Sequence, residues 1–133
     1  LKQSSPLFRG FDDVFLAPHS REVGILKKDV DKVPELELIA DSEQGGPTIL
    51  KTTDSKNFFV LCHLEYDANT LALEYQRDSE KGLHPHIPYN YYPDDDPTKK
   101  PIVRWRSAGQ LLFSNWLNYY VYQTTPYDLT EIR

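Results

Sequence analysis

Between residues 57 and 82 the hydrophobic period of the chain changes once, and that switch restricts the fold more than any other feature. "NFFVLCHL" (57 to 64) is a run of strand-forming apolar residues, after which Ala68, Leu71, Ala72 and Tyr75 recur at helical spacing. The spacing predicts a strand, a polar turn and a helix, with Asp67 as N-cap and Gly82 as the stop. Three more strands are expected upstream: "FDDVFLAP" (11 to 18), closed by Pro18, "LELIADS" (36 to 42) and "PTILKTTD" (47 to 54). The paired glycines of "EQGG" suit a tight turn between the last two, so antiparallel hairpins are expected.

Beyond Gly82 the chain changes character. Residues 83 to 104 hold five of the ten prolines and the acidic run Asp94 to Asp96, a composition that excludes regular structure and predicts a long loop or arm. "SAGQLLFSNWLNYYVYQ" (107 to 123) reads as a helix capped by Ser107, with a strand at "YYVYQT" as the alternative. Its apolar residues cover most of the helical circumference, which predicts burial on several sides or against a partner. The tyrosines at 89, 91 and 92 are expected to pack the arm onto a neighbouring subunit, because aromatic residues are enriched in interface cores. "PDDDP" (93 to 97) reads as a solvated acidic turn.

Composition narrows the function classes. At 133 residues the chain suits one domain with a real core. A formal charge of -5, with Lys and Arg mixed among the acids, provides no basic stripe for a phosphate backbone, so nucleic acid is not an expected partner. No apolar run approaches the roughly 20 residues a spanning helix needs, and no membrane association is expected. The single Cys62 cannot form an internal disulfide, which suits a reducing, cytoplasmic compartment. The chain begins with Leu1 and contains no methionine, as a piece of something longer would.

The residues that carry chemistry sit at the period switch. In a strand, side chains two apart share a face, so His63 and Glu65 are expected to point the same way and Cys62 the other. A carboxylate beside an imidazole fixes its tautomer and stabilises the imidazolium, which makes His63 a candidate general base with Glu65 as its orienter. The same parity removes Cys62 as a local nucleophile and makes it a small core residue. His84 and His86 lie two apart in a Pro-rich loop with no third ligand nearby, so no metal site is expected.

"HLEYDANTLALEYQRD" (63 to 78) resembles the HPEYD-type motif of the homoserine O-acyltransferases, the O-succinyltransferases and O-acetyltransferases of methionine biosynthesis. "FRGFDDVFLAPHSR" (8 to 21), "GLHPHIPYNYYPDDDP" (82 to 97) and "WRSAGQLLFSNWLNYYVYQTTPYDL" (105 to 129) resemble the same family, in the same order. The resemblance implies the C-terminal portion of a class I glutamine amidotransferase-like, flavodoxin-like α/β fold. It also implies ping-pong acyl transfer from acyl-CoA, as co-substrate, through a cysteine thioester to the hydroxyl of L-homoserine. No further cofactor is implied.

Carried over by position, His63 matches the family's catalytic histidine and Glu65 the acid of its Cys-His-Glu triad. Ser20 matches a serine that contacts the amino acid, and Arg77 an arginine that holds its carboxylate. The nucleophilic cysteine has no counterpart and is expected in a missing N-terminal part; a homodimer is also implied. Leu64 departs from the family's Gly-His-Pro-Glu pattern by replacing proline, and Cys62 by replacing glycine. Two readings compete with the acyltransferase: a non-catalytic binding or assembly module of the same fold, and a serine O-acyltransferase.

Overall fold

Leu36–Ser42 (β1) and Gly46–Thr52 (β2) form an antiparallel hairpin, to which Phe58–Val60 (β3) adds antiparallel on the other side of β2. The computed structural model describes residues 1–126 and 128–131. The tight turn expected at "EQGG" is present, and each glycine there answers a separate demand. Gly46 has φ +66°, which costs an L side chain strain, and a Cβ on Gly45 would lie 3.0 Å from the imidazole of His19. The Arg21 guanidinium staples the same turn by donating to the carbonyls of Gly45 and Pro47. Between Leu38↔Leu50 and Ala40↔Ile49 the ladder slips at Ile39, a bulge that lets the adjacent Ile39 and Ala40 both be buried.

Strand β3 is shorter than its apolar run. After Val60 one more bond joins Leu61 N–H to the Thr48 carbonyl; the backbone then changes partner, and His63 N–H donates to the Pro18 carbonyl at 2.8 Å. Residues 11 to 18 do not form the expected strand. Pro18 has no N–H to return to a ladder, and the segment runs without regular pairing.

The helix after the switch is α-helical from Thr70 to Glu80 (residues 27 to 30 form an isolated helical turn upstream). Asp67 does not cap it. Asn69 stands at the N-cap without a side-chain bond, and the orphan N–H of Ala72 donates instead to the hydroxyl of Tyr91 at 3.2 Å. That hydroxyl donates in turn to the Ala68 carbonyl at 2.6 Å. The arm thus supplies the cap, which corrects the expectation that its tyrosines face a neighbouring subunit: Tyr91 and Tyr92 are buried in this chain's own core, and only Tyr89 is exposed. Gly82, at φ +72°, follows the helix as expected.

Pro93–Asp95 forms one tight helical turn in the otherwise irregular arm. It is the acidic turn expected, tied by Asp95 accepting from Asn90 N–H at 2.8 Å and by a Lys99–Asp94 ion pair.

The last helix spans Arg106–Trp116 and continues through a π-helical turn, Leu117–Val121, into Tyr122–Thr124. Trp105, not Ser107, occupies its N-cap, and the helical run excludes the strand alternative at "YYVYQT". Its buried face is narrower than its composition suggests: Gly109, Leu112 and Asn115 face inward, whereas Phe113, Trp116 and Tyr122 are exposed. Asn115 Nδ2 donates to the carbonyls of Leu7 and Arg9, both at 2.9 Å, and so fastens the N-terminal turn Pro6–Phe8 to this helix. Among the described residues no helix is long and apolar enough to cross a membrane.

Candidate active site

The partner change after Leu61 ends the strand and throws residues 63 to 66 into a turn closed by Tyr66 N–H on the His63 carbonyl at 3.3 Å. This turn, rather than strand parity, brings the candidate base and acid together. His63 Nδ1 lies 2.8 Å from Glu65 Oε1. The imidazole is about one third exposed (35%) and the carboxylate more so (60%), so the pair opens to solvent. Partial desolvation pushes the Glu65 carboxyl up, but the hydrogen bond with His63 and a backbone N–H outweigh it and hold the group below the usual carboxylate value. With Nδ1 committed to Glu65, Nε2 is the atom left for proton transfer.

Cys62 is buried, in the same core cluster as Leu64 and Leu71. Burial pushes its thiol up to about 12, so at neutral pH it is not a thiolate.

One residue unmarked in the sequence, Tyr66, completes the surroundings of the imidazole. The Tyr66 ring stacks on His63, with centroids 4.3 Å apart and planes 18° from parallel. Its hydroxyl donates to Glu74 Oε1 at 2.8 Å, and its carbonyl accepts from Trp105 Nε1 at 2.9 Å. Burial, the bond to Glu74 and the charge of that carboxylate raise the Tyr66 phenol, against a lowering bond from Ser20. Ser20 therefore stands beside the platform on which His63 rests. Tyr66 lay inside the very motif that carries His63, but only the turn shows that residues three apart stack.

His19, next to Ser20, has a buried Nδ1 without a hydrogen-bond partner, and burial, Arg21 and the nearby His63 all lower its pKa. It lines a 260 Å³ cavity with Tyr89, Arg104 and Trp105, and neither His63, Glu65, Ser20 nor Arg77 lines that cavity. Arg77 lies on the exposed side of the second helix and pairs with Asp78 through Nε at 2.7 Å and an Nη at 3.0 Å, not with Glu74. The bonds to Asp78 raise its pKa, and the charges of Asp78, Glu74 and Glu22 act in the same direction. The structure thus joins His63 to Glu65, sets Ser20 at Tyr66, and leaves the Arg77 guanidinium on a neighbouring acid. Among the described residues no group of three His, Cys, Asp or Glu side chains is arranged to hold a metal.

An imidazole bonded to a carboxylate and partly open to solvent on an α/β scaffold is an arrangement that could serve general-base chemistry. The family model for homoserine O-succinyltransferase matches residues 1–127, and the chain belongs to that family. Among its relatives, the homoserine O-acetyltransferase of Acetivibrio thermocellus is 54% identical over 132 residues, covering 99% of this chain and 43% of the relative. Those of Brevibacillus brevis, 55% identical over 130 residues (98% and 42%), and Methanomassiliicoccus intestinalis, 56% over 132 (99% and 43%), are similar. The chain therefore spans less than half the length of these curated relatives.

Proposed function

We propose that this chain is the C-terminal portion of a cytoplasmic homoserine O-acyltransferase of methionine biosynthesis, with the class I glutamine amidotransferase-like fold. The transferred group in this reading is acetyl, the group named for the relatives at 54 to 56% identity, and the donor is acetyl-CoA. The observation that carries the reading is the 2.8 Å contact between His63 Nδ1 and Glu65 Oε1, on an imidazole about one third exposed to solvent.

The chemistry follows from that pair. A cysteine thiolate from the remainder of the enzyme attacks the thioester carbonyl of acyl-CoA, forms an acyl-enzyme thioester and expels coenzyme A. The homoserine hydroxyl then attacks the acyl carbon; its proton passes to His63 Nε2 as the carbon–sulfur bond breaks and the cysteine thiolate returns. Glu65 stabilises the imidazolium formed in that step. Ser20 contacts the amino acid. Arg77 exchanges Asp78 for the substrate carboxylate, a bidentate match. Two enzyme copies form a homodimer.

One observation favours a second reading, that the 133 residues act as a binding or assembly module: their single thiol, Cys62, is buried and protonated. Acyl transfer from acetyl-CoA to homoserine, assayed with the intact parent enzyme, its His63→Ala variant and the 133-residue chain, separates the two. The enzyme reading expects turnover in the first alone. Equal turnover of the variant removes His63 from the mechanism, and competition between homoserine and serine in the same assay fixes the acceptor.

A further inference from the structure

Glu65 fixes the imidazole at one atom only. A single hydrogen bond at Nδ1 leaves the ring able to swing about that bond and about the side-chain torsions, and each swing moves Nε2 away from a bound hydroxyl. The opposite constraint comes from the flat face of Tyr66, 4.3 Å away and 18° from parallel. Tyr66 is itself held at three points: its hydroxyl on Glu74 Oε1, its carbonyl under Trp105 Nε1, and its N–H on the His63 carbonyl. Glu74 is planted on the helix Thr70–Glu80, and Trp105 is 4% exposed at the start of the last helix. Two helices thus converge on one residue, Tyr66, whose ring stacks on the base.

We propose that Tyr66 is a positioning residue for His63: it sets the plane of the imidazole, and Glu65 sets its rotation within that plane. This rests on the reading of His63 as general base. The stacking surface is what the role requires, so phenylalanine serves in its place, whereas an aliphatic side chain does not. The hydroxyl has a smaller part, tethering the ring to Glu74.

Two measurements test it. In proton NMR spectra of the 133-residue chain, the His63 ring protons sit upfield in the shielding cone of the Tyr66 ring; Tyr66→Phe keeps that displacement and Tyr66→Leu removes it, with the remaining amide spectrum in place. In the intact enzyme, Tyr66→Leu lowers kcat by about 10²-fold, the cost of a base displaced by about an ångström, while KM for homoserine stays within about twofold and Tyr66→Phe restores most of the rate. Should Tyr66→Leu not fold, Glu74→Ala serves, and a smaller fall in kcat with a partial loss of the upfield displacement is the result expected. Upfield positions that survive in Tyr66→Leu, or a kcat equal to that of the parent, overturn the inference. If His63→Ala retains full activity, the base reading fails and this inference with it. If His63→Ala is inactive but Tyr66→Leu turns over normally, only the positioning role fails.

Discussion

Gly109 of the last helix faces the backbone of Leu64 so closely that a Cβ at that position would lie 3.1 Å from the Leu64 carbonyl oxygen and 3.2 Å from its Cβ. The helix rests directly on the turn that holds His63 and Glu65. In a free helix, Gly109→Ala would gain about 0.5 to 1 kcal/mol from propensity. Here the obstructing atom is backbone, which cannot swing aside, and overpacking of this kind costs about 1 to 3 kcal/mol. The variant should lose stability in urea unfolding and move the amide resonances of residues 63 to 66. A gain in stability would show that the contact is looser than described.

Tyr91 caps the second helix from outside it. Tyr91→Phe keeps the ring in the core but removes the acceptor for Ala72 N–H and the donor to the Ala68 carbonyl. The loss should be about 1 to 3 kcal/mol, the cost of partly buried polar groups left unpaired. Amide exchange at Ala72 should accelerate more than exchange at the core strand residue Ile49.

Much of this arrangement was legible in the residues, and the exceptions share a cause. β1 has the bounds its pattern implies, although a bulge at Ile39 breaks the alternation and buries Ile39 and Ala40 together. The run 57 to 64 is strand only to Val60, because its backbone trades Thr48 for Pro18 after Leu61, a long-range choice that no local pattern carries. His63 and Glu65 do meet, but through a turn closed over residues 63 to 66 and not through strand parity. The same turn hid Tyr66. The helix caps differ for a related reason: Asp67 and Ser107 are good capping residues by type, but Asn69 and Trp105 stand at the N-caps, and the Tyr91 hydroxyl takes the Ala72 N–H of the first. Composition marks Tyr91 and Tyr92 as aromatic without saying which surface they cover, and they cover this chain's own core.

Acid sensitivity should concentrate at Glu37. Its carboxylate accepts from Lys2 and from Lys51, the latter at 2.8 Å with the lysine side chain only 11% exposed. The bonds to Lys2 and Lys51 lower the Glu37 pKa from 4.5, a depressed folded value. Its contribution to stability is therefore fully present above that unfolded value and is lost as pH falls through the lower folded one. Glu37→Gln should destabilise the chain by up to about 1 kcal/mol at pH 7, because Lys51 loses its ion pair and keeps its bond to Ser55 Oγ, and should flatten the decline of stability below pH 4.5. An unaltered pH profile in the variant would place the acid transition elsewhere.

Cys62 should be unreactive while the chain is folded. With the thiol pushed up to about 12 and 3% of the residue exposed, labelling by a thiol-specific disulfide at pH 8 should be negligible in buffer and reach one thiol per chain in denaturant. Rapid labelling of the native chain would open the way for Cys62 as a nucleophile, which its burial argues against.

The role of the braced imidazole is tested most directly by the rate at which homoserine discharges a preformed acyl-enzyme in the intact protein. Both His63→Ala and Glu65→Gln should leave thioester formation measurable and slow the discharge, His63→Ala by about 10² to 10⁴-fold and Glu65→Gln by less. Discharge at the parent rate in His63→Ala would contradict the account.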